Sequence, residues 1–221
     1  MNQLPPAANI FPFELNASNT LVFDLSDQNQ DPEFLAVESA KGLGQYLKAL
    51  LNSHNKSYGL GGYREKRVIY KRFKHFNNEE SEERCYHLGV DVWCAANTLI
   101  SSPYPAQVHS FGYNDKPGDY GGTIILEHQL DHLQFFSLYG HLSFDSLKNI
   151  KVGQIVKAEE LFCSLGDYHE NGGWPPHLHF QVIKEIGDYR GDYPGVASAS
   201  EKDGLLANCP NPELILKSGL I

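Results

Sequence analysis

After residue 84 the sequence breaks into short apolar-rich segments separated by turns, and this rhythm constrains the fold more than any other feature. The segments are Gly89–Cys94, Gln107–Tyr113, Gly122–His128, Phe135–Gly140, Ile155–Val156, Leu161–Leu165 and His179–Ile183. The turns between them carry Gly, Pro, Asn or Asp, as in Asn114–Gly118, Lys151–Gly153 and Gly166–Asp167. Short strands at this spacing predict an antiparallel sheet assembly. Twelve Tyr, twelve Phe and a hydrophobic content of 41% agree with a β-rich globular chain. The expected fold is therefore mainly β: a compact antiparallel β-sheet domain over residues 59–221, preceded by an N-terminal helical extension over residues 1–58.

Residues 1 to about 30 mix Pro, Asn and Asp with apolar patches such as Ile10–Phe13 and Leu21–Phe23, and read as an extended segment packed on the main domain. Asp31-Pro32-Glu33 has the pattern of an N-cap followed by Pro at the first helical position. Leu43, Tyr46, Leu47, Leu50 and Leu51 then recur on one helical face, so a single helix is expected to run from Asp31 to about Asn52–Asn55. Tyr58-Gly-Leu-Gly-Gly-Tyr63 reads as a glycine-rich turn without the strand and helix context of a dinucleotide site. Arg67–Phe73 alternates as a strand, Asn77–Glu83 is a charged loop, and Asn211–Lys217 is a short capped helix.

A net charge of −9 argues against nucleic acid or an anionic membrane as partner, since both select a basic surface. Lys66-Arg67 and Lys71-Arg72 are local basic patches. No secretory leader and no apolar run of transmembrane length is visible. Cys85, Cys94, Cys163 and Cys209 lack the C-x-x-C spacing of a zinc cage and are expected as free thiols in the cytoplasm.

Ten histidines are the main anomaly of composition. In Pro176-His177-Leu178-His179-Phe180-Gln181-Val182 the two imidazoles lie at i and i+2, on one face of a strand. His87-Leu-Gly-Val-Asp91 puts an imidazole and a carboxylate four apart. In a straight strand their Cα atoms would be about 13 Å apart, so sharing a metal requires a bend, which Gly89 permits. Tyr139-Gly140-His141-Leu142-Ser143 adds a third histidine motif. Two His and one Asp would satisfy a hydrolytic zinc site that keeps one position open, leaving two His for acid–base work. The bland alternative is a surface hydrogen bond between His87 and Asp91 with His141 capping a strand.

The three motifs His87-x-x-x-Asp91, Tyr-Gly-His141-Leu-Ser and Pro-His177-Leu-His179-Phe, in this order, resemble the lysostaphin-type zinc metallopeptidases, the peptidoglycan endopeptidase family. The resemblance runs from about residue 85 to 184 and includes Ile124–His128 and Val152–Lys157. It implies a compact antiparallel β fold and Zn2+ held by His87, Asp91 and His179. It also places His141 and His177 beside the attacking water and the scissile carbonyl. Gly172-Gly-Trp-Pro-Pro precedes His177 where many wall hydrolases have Ser/Thr-Gly-Pro, so a different groove rim is expected. Pro117–Ile125, Gly172–His179 and Cys209–Pro212 also resemble the peptidase-like module found between kinase-like and class III aminotransferase domains in large fused proteins. The expected function is zinc-dependent hydrolysis of peptide bonds, with a peptide or small amide as partner. The alternatives are a non-catalytic groove-binding module and a cytosolic zinc hydrolase of a non-peptidoglycan amide.

Overall fold

A computed structural model describes residues 4–69 and 82–221. Its centre is an eight-stranded sheet in the order β1-β2-β4-β11-β8-β7-β6-β9. These are β1 (Thr20–Phe23), β2 (Tyr58–Gly61), β4 (Val90–Trp93), β6 (Ala106–Asn114), β7 (Gly121–Leu130), β8 (Leu133–Leu142), β9 (Ile155–Val156) and β11 (His177–Ile183). Two small two-stranded sheets flank it: β5 (Leu99–Ser101) with β10 (Leu161–Ser164), and β3 (Arg84–His87) with β12 (Val196–Ser198). All pairings are antiparallel except β1 with β2. The mainly β, antiparallel expectation holds, and each of the seven expected strands forms, Ile155–Val156 with the same bounds and the others with shifted ends.

Alternation along the central strands separates core from site. Leu60 on β2, Val90 and Val92 on β4, and Leu178, Phe180 and Val182 on β11 enter the main core with Ile124, Leu126 and Tyr139. Their neighbours Asp91, Trp93, His177, His179 and Gln181 therefore face the other side. Ile10 and Phe11 join the main core too, so the first residues pack on the sheet as expected.

The N-terminal helix is two helices, α1 (Pro32–Leu35) and α2 (Ala40–Ser53). Asp31 caps the first as expected, its carboxylate accepting from Glu33 N–H. Ser39 caps the second by accepting from Gly42 N–H, and this second cap is the missed signal. α2 packs Leu43, Tyr46 and Leu47 against Phe23, Leu25, Trp93 and Trp174 in a second core. Among the described residues three short helices follow, α3 (Phe144–Lys148), α4 (Lys202–Asn208) and α5 (Glu213–Leu216), the last within the expected tail helix.

The glycine-rich turn is strand β2, and its glycines are there for space. A Cβ at Gly59 would sit 2.0 Å from the Phe23 ring, and one at Gly61 would sit 2.5 Å from Trp93 and 2.8 Å from Arg67. Of the expected strand Arg67–Phe73, residues 67–69 are not a strand and Tyr70–Phe73 lie outside the described residues; most of the loop Asn77–Glu83 lies outside them too. Cys85, Cys94, Cys163 and Cys209 form no disulfide among the described residues. Among the described residues no helix is long and apolar enough to cross a membrane.

Candidate active site

One row across four strands carries the centre of the site. Gly61 on β2 pairs with Asp91 on β4, Asp91 with His179 on β11, and His179 with Gly140 on β8. The flanking glycines leave room above the row: a Cβ on Gly140 would lie 2.5 Å from the Tyr120 ring. His177 lies one pleat along, opposite Trp93.

His87 reaches the row because the chain changes sheets between β3 and β4. It ends β3, and Leu88-Gly89 turns the backbone back so that Asp91 and His87 converge. The bend expected at Gly89 is present, for a steric reason as much as a conformational one. A Cβ at Gly89 would lie 2.7 Å from His179 Nε2 and from the Phe180 carbonyl oxygen.

His141 arrives by a different device. β7 advances from Gly122 to Ile124 while β8 runs from Leu142 back to Tyr139, so β8 holds one extra residue. At this bulge His141 has φ 64, a left-handed conformation rare for a side chain of its size. Bulges re-aim side chains. This one is held by His141 N–H donating to Tyr120 O (2.8 Å) and by Gly166 N–H donating to His141 O (2.9 Å).

His87 Nε2, Asp91 Oδ1 and His179 Nδ1 form a triangle with sides of 3.0, 3.1 and 3.3 Å. His177 Nε2 lies 3.9 Å from the same Asp91 oxygen. His141 and His177 face each other with ring centroids 4.0 Å apart. The five side chains are buried, and Asp91, His141, His177 and His179 line a cavity of about 420 Å3 together with Trp93, Tyr120 and Trp174.

The second nitrogen of each imidazole fixes its tautomer. His87 Nδ1–H donates to Gly62 O (3.0 Å), His141 Nδ1–H to Asn171 O (2.8 Å) and His177 Nδ1–H to Pro175 O (2.7 Å). His179 Nε2–H donates to Gln181 Oε1 (2.9 Å), and the Gln181 amide is oriented by donating to Pro194 O (3.1 Å) and Cys209 Sγ (3.2 Å). Each ring thus keeps a lone pair on its opposite nitrogen. Two such lone pairs and a carboxylate oxygen within 3.3 Å of one another repel unless a cation lies between them. Their separations match the edges of a tetrahedron around an ion bound at about 2.0–2.1 Å. His87, Asp91 and His179 could accordingly hold a metal ion.

Charge agrees with this chemistry. Burial pushes His87 down to about 4, with the Arg67 guanidinium adding to the shift. His141 and His177 are also lowered, first by burial, and for His141 next by His177. Burial opposes ionisation of Asp91, but His87 and Arg67 outweigh it and hold its carboxyl well below the usual range.

Four contributors escaped the sequence reading. Arg67 is no surface patch: it is 3% exposed and pairs with Asp91 Oδ2 (2.5 Å) and Glu65 Oε2 (2.7 Å). Tyr120 places its hydroxyl 3.4 Å from His179 Nε2. Asn171 supplies the carbonyl behind His141, and Gln181 the acceptor behind His179. Only Gln181 left a readable signal, since His177, His179 and Gln181 alternate along one strand.

A carboxylate and two imidazoles that converge lone pairs on one point, with two more imidazoles beside them, could hold a metal ion and support metal-dependent hydrolysis. Residues 85–191 match the model of peptidase family M23. Over that stretch, just under half of its length, the chain is similar to the peptidase M23 metallopeptidases. Similar structures include the catalytic domain of the antimicrobial peptidase lysostaphin from Staphylococcus simulans, at 23% identity and TM-score 0.42, over 61% of this chain and 81% of that one. A zinc-containing peptidase from Vibrio cholerae is similar at 23% identity and TM-score 0.35, over 50% of this chain and 31% of that one. Csd3 from Helicobacter pylori is similar at 23% identity and TM-score 0.33, over 60% of this chain and 34% of that one. The chain thus spans about a third of the length of the last two and half of full-length lysostaphin. No curated protein matches the sequence.

Proposed function

We propose that the protein is a zinc-dependent hydrolase that cleaves peptide bonds in peptidoglycan-type or other small peptides. In this reading His87 Nε2, Asp91 Oδ1 and His179 Nδ1 hold the metal, and His141 and His177 handle protons. The observation that carries it is the set of four hydrogen bonds behind the four imidazoles, which leaves a lone pair on each ring's opposite nitrogen. Zinc bound there would supply Lewis acidity to a substrate carbonyl and to a water molecule. With Nδ1–H committed to backbone carbonyls, His141 and His177 offer Nε2 as an acceptor. Their first role is therefore to take a proton from the attacking water, and the imidazolium so formed can return it to the leaving amine. Burial of the site excludes bulk water and strengthens these interactions. The free thiols fit a reducing compartment and support a cytoplasmic location. The test is hydrolysis of a panel of short peptides by zinc-loaded protein, with and without a chelator. Chelation should abolish turnover and restored zinc should recover it; turnover unaffected by chelation would reject the metal role.

A further inference from the structure

The cavity is not walled by the β domain alone. Leu25, from the segment after β1, and Leu43, on α2, line it together with Trp93 and Trp174. All four belong to the apolar cluster that joins the N-terminal helices to the sheet. The cluster meets the proton-handling pair directly. Trp93 stacks on His177 at 5.4 Å between centroids and 18° between planes, and Trp174 meets the same ring edge-on at 6.5 Å. α2 presses against the approach to His177, where a Cβ at Gly44 would touch Pro175 at 3.2 Å. Trp174 is fixed by its indole N–H donating to Gly118 O at 3.0 Å.

From this wall we infer that residues 20–53 complete an apolar subsite beside His177, which selects peptides bearing an aliphatic or aromatic side chain next to the scissile bond. The inference rests on the peptidase reading and adds the substrate's side chain to it. A leucine at that position would bury its isobutyl group against this wall, a gain that a glycine cannot make. A contact of this kind discriminates by roughly tenfold to two-hundredfold.

The chain's two tryptophans are Trp93 and Trp174, so tryptophan emission, excited selectively over the twelve tyrosines, reports on this wall. N-acetyl-leucinamide should change the emission saturably in zinc-loaded protein, and N-acetylglycinamide should need at least a tenfold higher concentration. In parallel, short peptides identical except for Gly or Leu beside the cleaved bond should differ at least tenfold in kcat/KM in favour of Leu. In Leu43→Ala that ratio should fall and larger aromatic side chains should gain; if the variant fails to fold, the two wild-type arms still decide. Equal binding and equal cleavage of Gly and Leu compounds would overturn the subsite while leaving the peptidase reading intact. Selective binding of leucinamide without hydrolysis of any peptide would uphold the subsite and defeat the peptidase reading.

Discussion

Arg67 Nη1 lies 2.5 Å from Asp91 Oδ2, and both side chains are 3% exposed. The pair decides which oxygen of Asp91 remains for a cation. Oδ2 is taken by the guanidinium, so Oδ1 alone faces His87 and His179. A carboxylate held this way would offer a metal ion one oxygen. Glu65 holds the other side of Arg67 and also accepts from Leu25 N–H at 2.8 Å. The N-terminal segment is thereby tied to the site through Glu65 and the buried Arg67.

Removing one member of such a network strands the others. Arg67→Met should destabilise the metal-free protein by about 3–5 kcal/mol, the usual loss when one partner of a buried pair is deleted. A bound zinc ion would then be the remaining cation beside Asp91, so zinc should raise the stability of the variant more than that of the wild type. Denaturant unfolding of both proteins, with chelator and with zinc, measures this. Identical stabilities in all conditions would mean that the pair is incidental.

The four site histidines should divide into two groups. His87→Ala and His179→Ala should lose bound zinc together with activity, because two remaining ligands hold the ion poorly. His141→Ala and His177→Ala should keep about one zinc per chain while kcat falls by roughly a hundredfold or more, the range lost with a general acid or base. Metal analysis beside steady-state kinetics separates the groups. Zinc loss in His141→Ala would make it a ligand and redraw the site.

Gln181 should act through His179. Its carbonyl oxygen holds the His179 Nε2–H, which keeps Nδ1 free for the metal. Gln181→Leu removes that acceptor and should weaken zinc binding roughly tenfold to a hundredfold. Competition with a chromophoric chelator gives the affinity. Unchanged affinity would show that packing alone holds the ring.

What could be read from the sequence follows the physics of each residue. Alternation exposed β11, and with it the shared face of His177 and His179, because a period of two survives without knowledge of neighbours. The meeting of His87 and Asp91 was readable as far as the need for a bend. That His179 and the Phe180 carbonyl occupy the space over Gly89 depends on a strand ninety residues away. β2 was hidden because glycines signal turns locally, whereas Gly59 and Gly61 make room for Phe23, Trp93 and Arg67. Arg67 looked like part of a local basic patch because Asp91, the partner that draws it into the site, meets it only through the fold. His141 was found by its motif, but its left-handed bulge arises from register with β7, which no local pattern encodes.

A histidine outside the site offers a separate test of the packing. His128 on β7 is fully buried, with its ring stacked on Phe135 at 4.7 Å. Its Nδ1–H donates to Pro105 O at 3.2 Å, and its Nε2 accepts from the Ser137 hydroxyl at 2.7 Å. Burial lowers it from 6.5 to about 4, only partly opposed by the bond to Pro105. Above pH 6.5 the ring is neutral in both the folded and unfolded chains, and its contribution to stability is complete. Between 6.5 and about 4 the unfolded chain takes up a proton that the folded chain refuses, so stability falls as pH falls. Below about 4 both states are protonated and the loss stops growing, at about 3 kcal/mol. His128→Gln cannot titrate. Its stability curve should therefore be flatter than the wild type's by up to one proton across that window, while the other buried histidines contribute alike to both. Denaturant unfolding at half-unit steps from pH 4 to 7.5, in the presence of chelator, gives the difference; parallel curves would mean that His128 is protonated as easily in the folded chain as in the unfolded one.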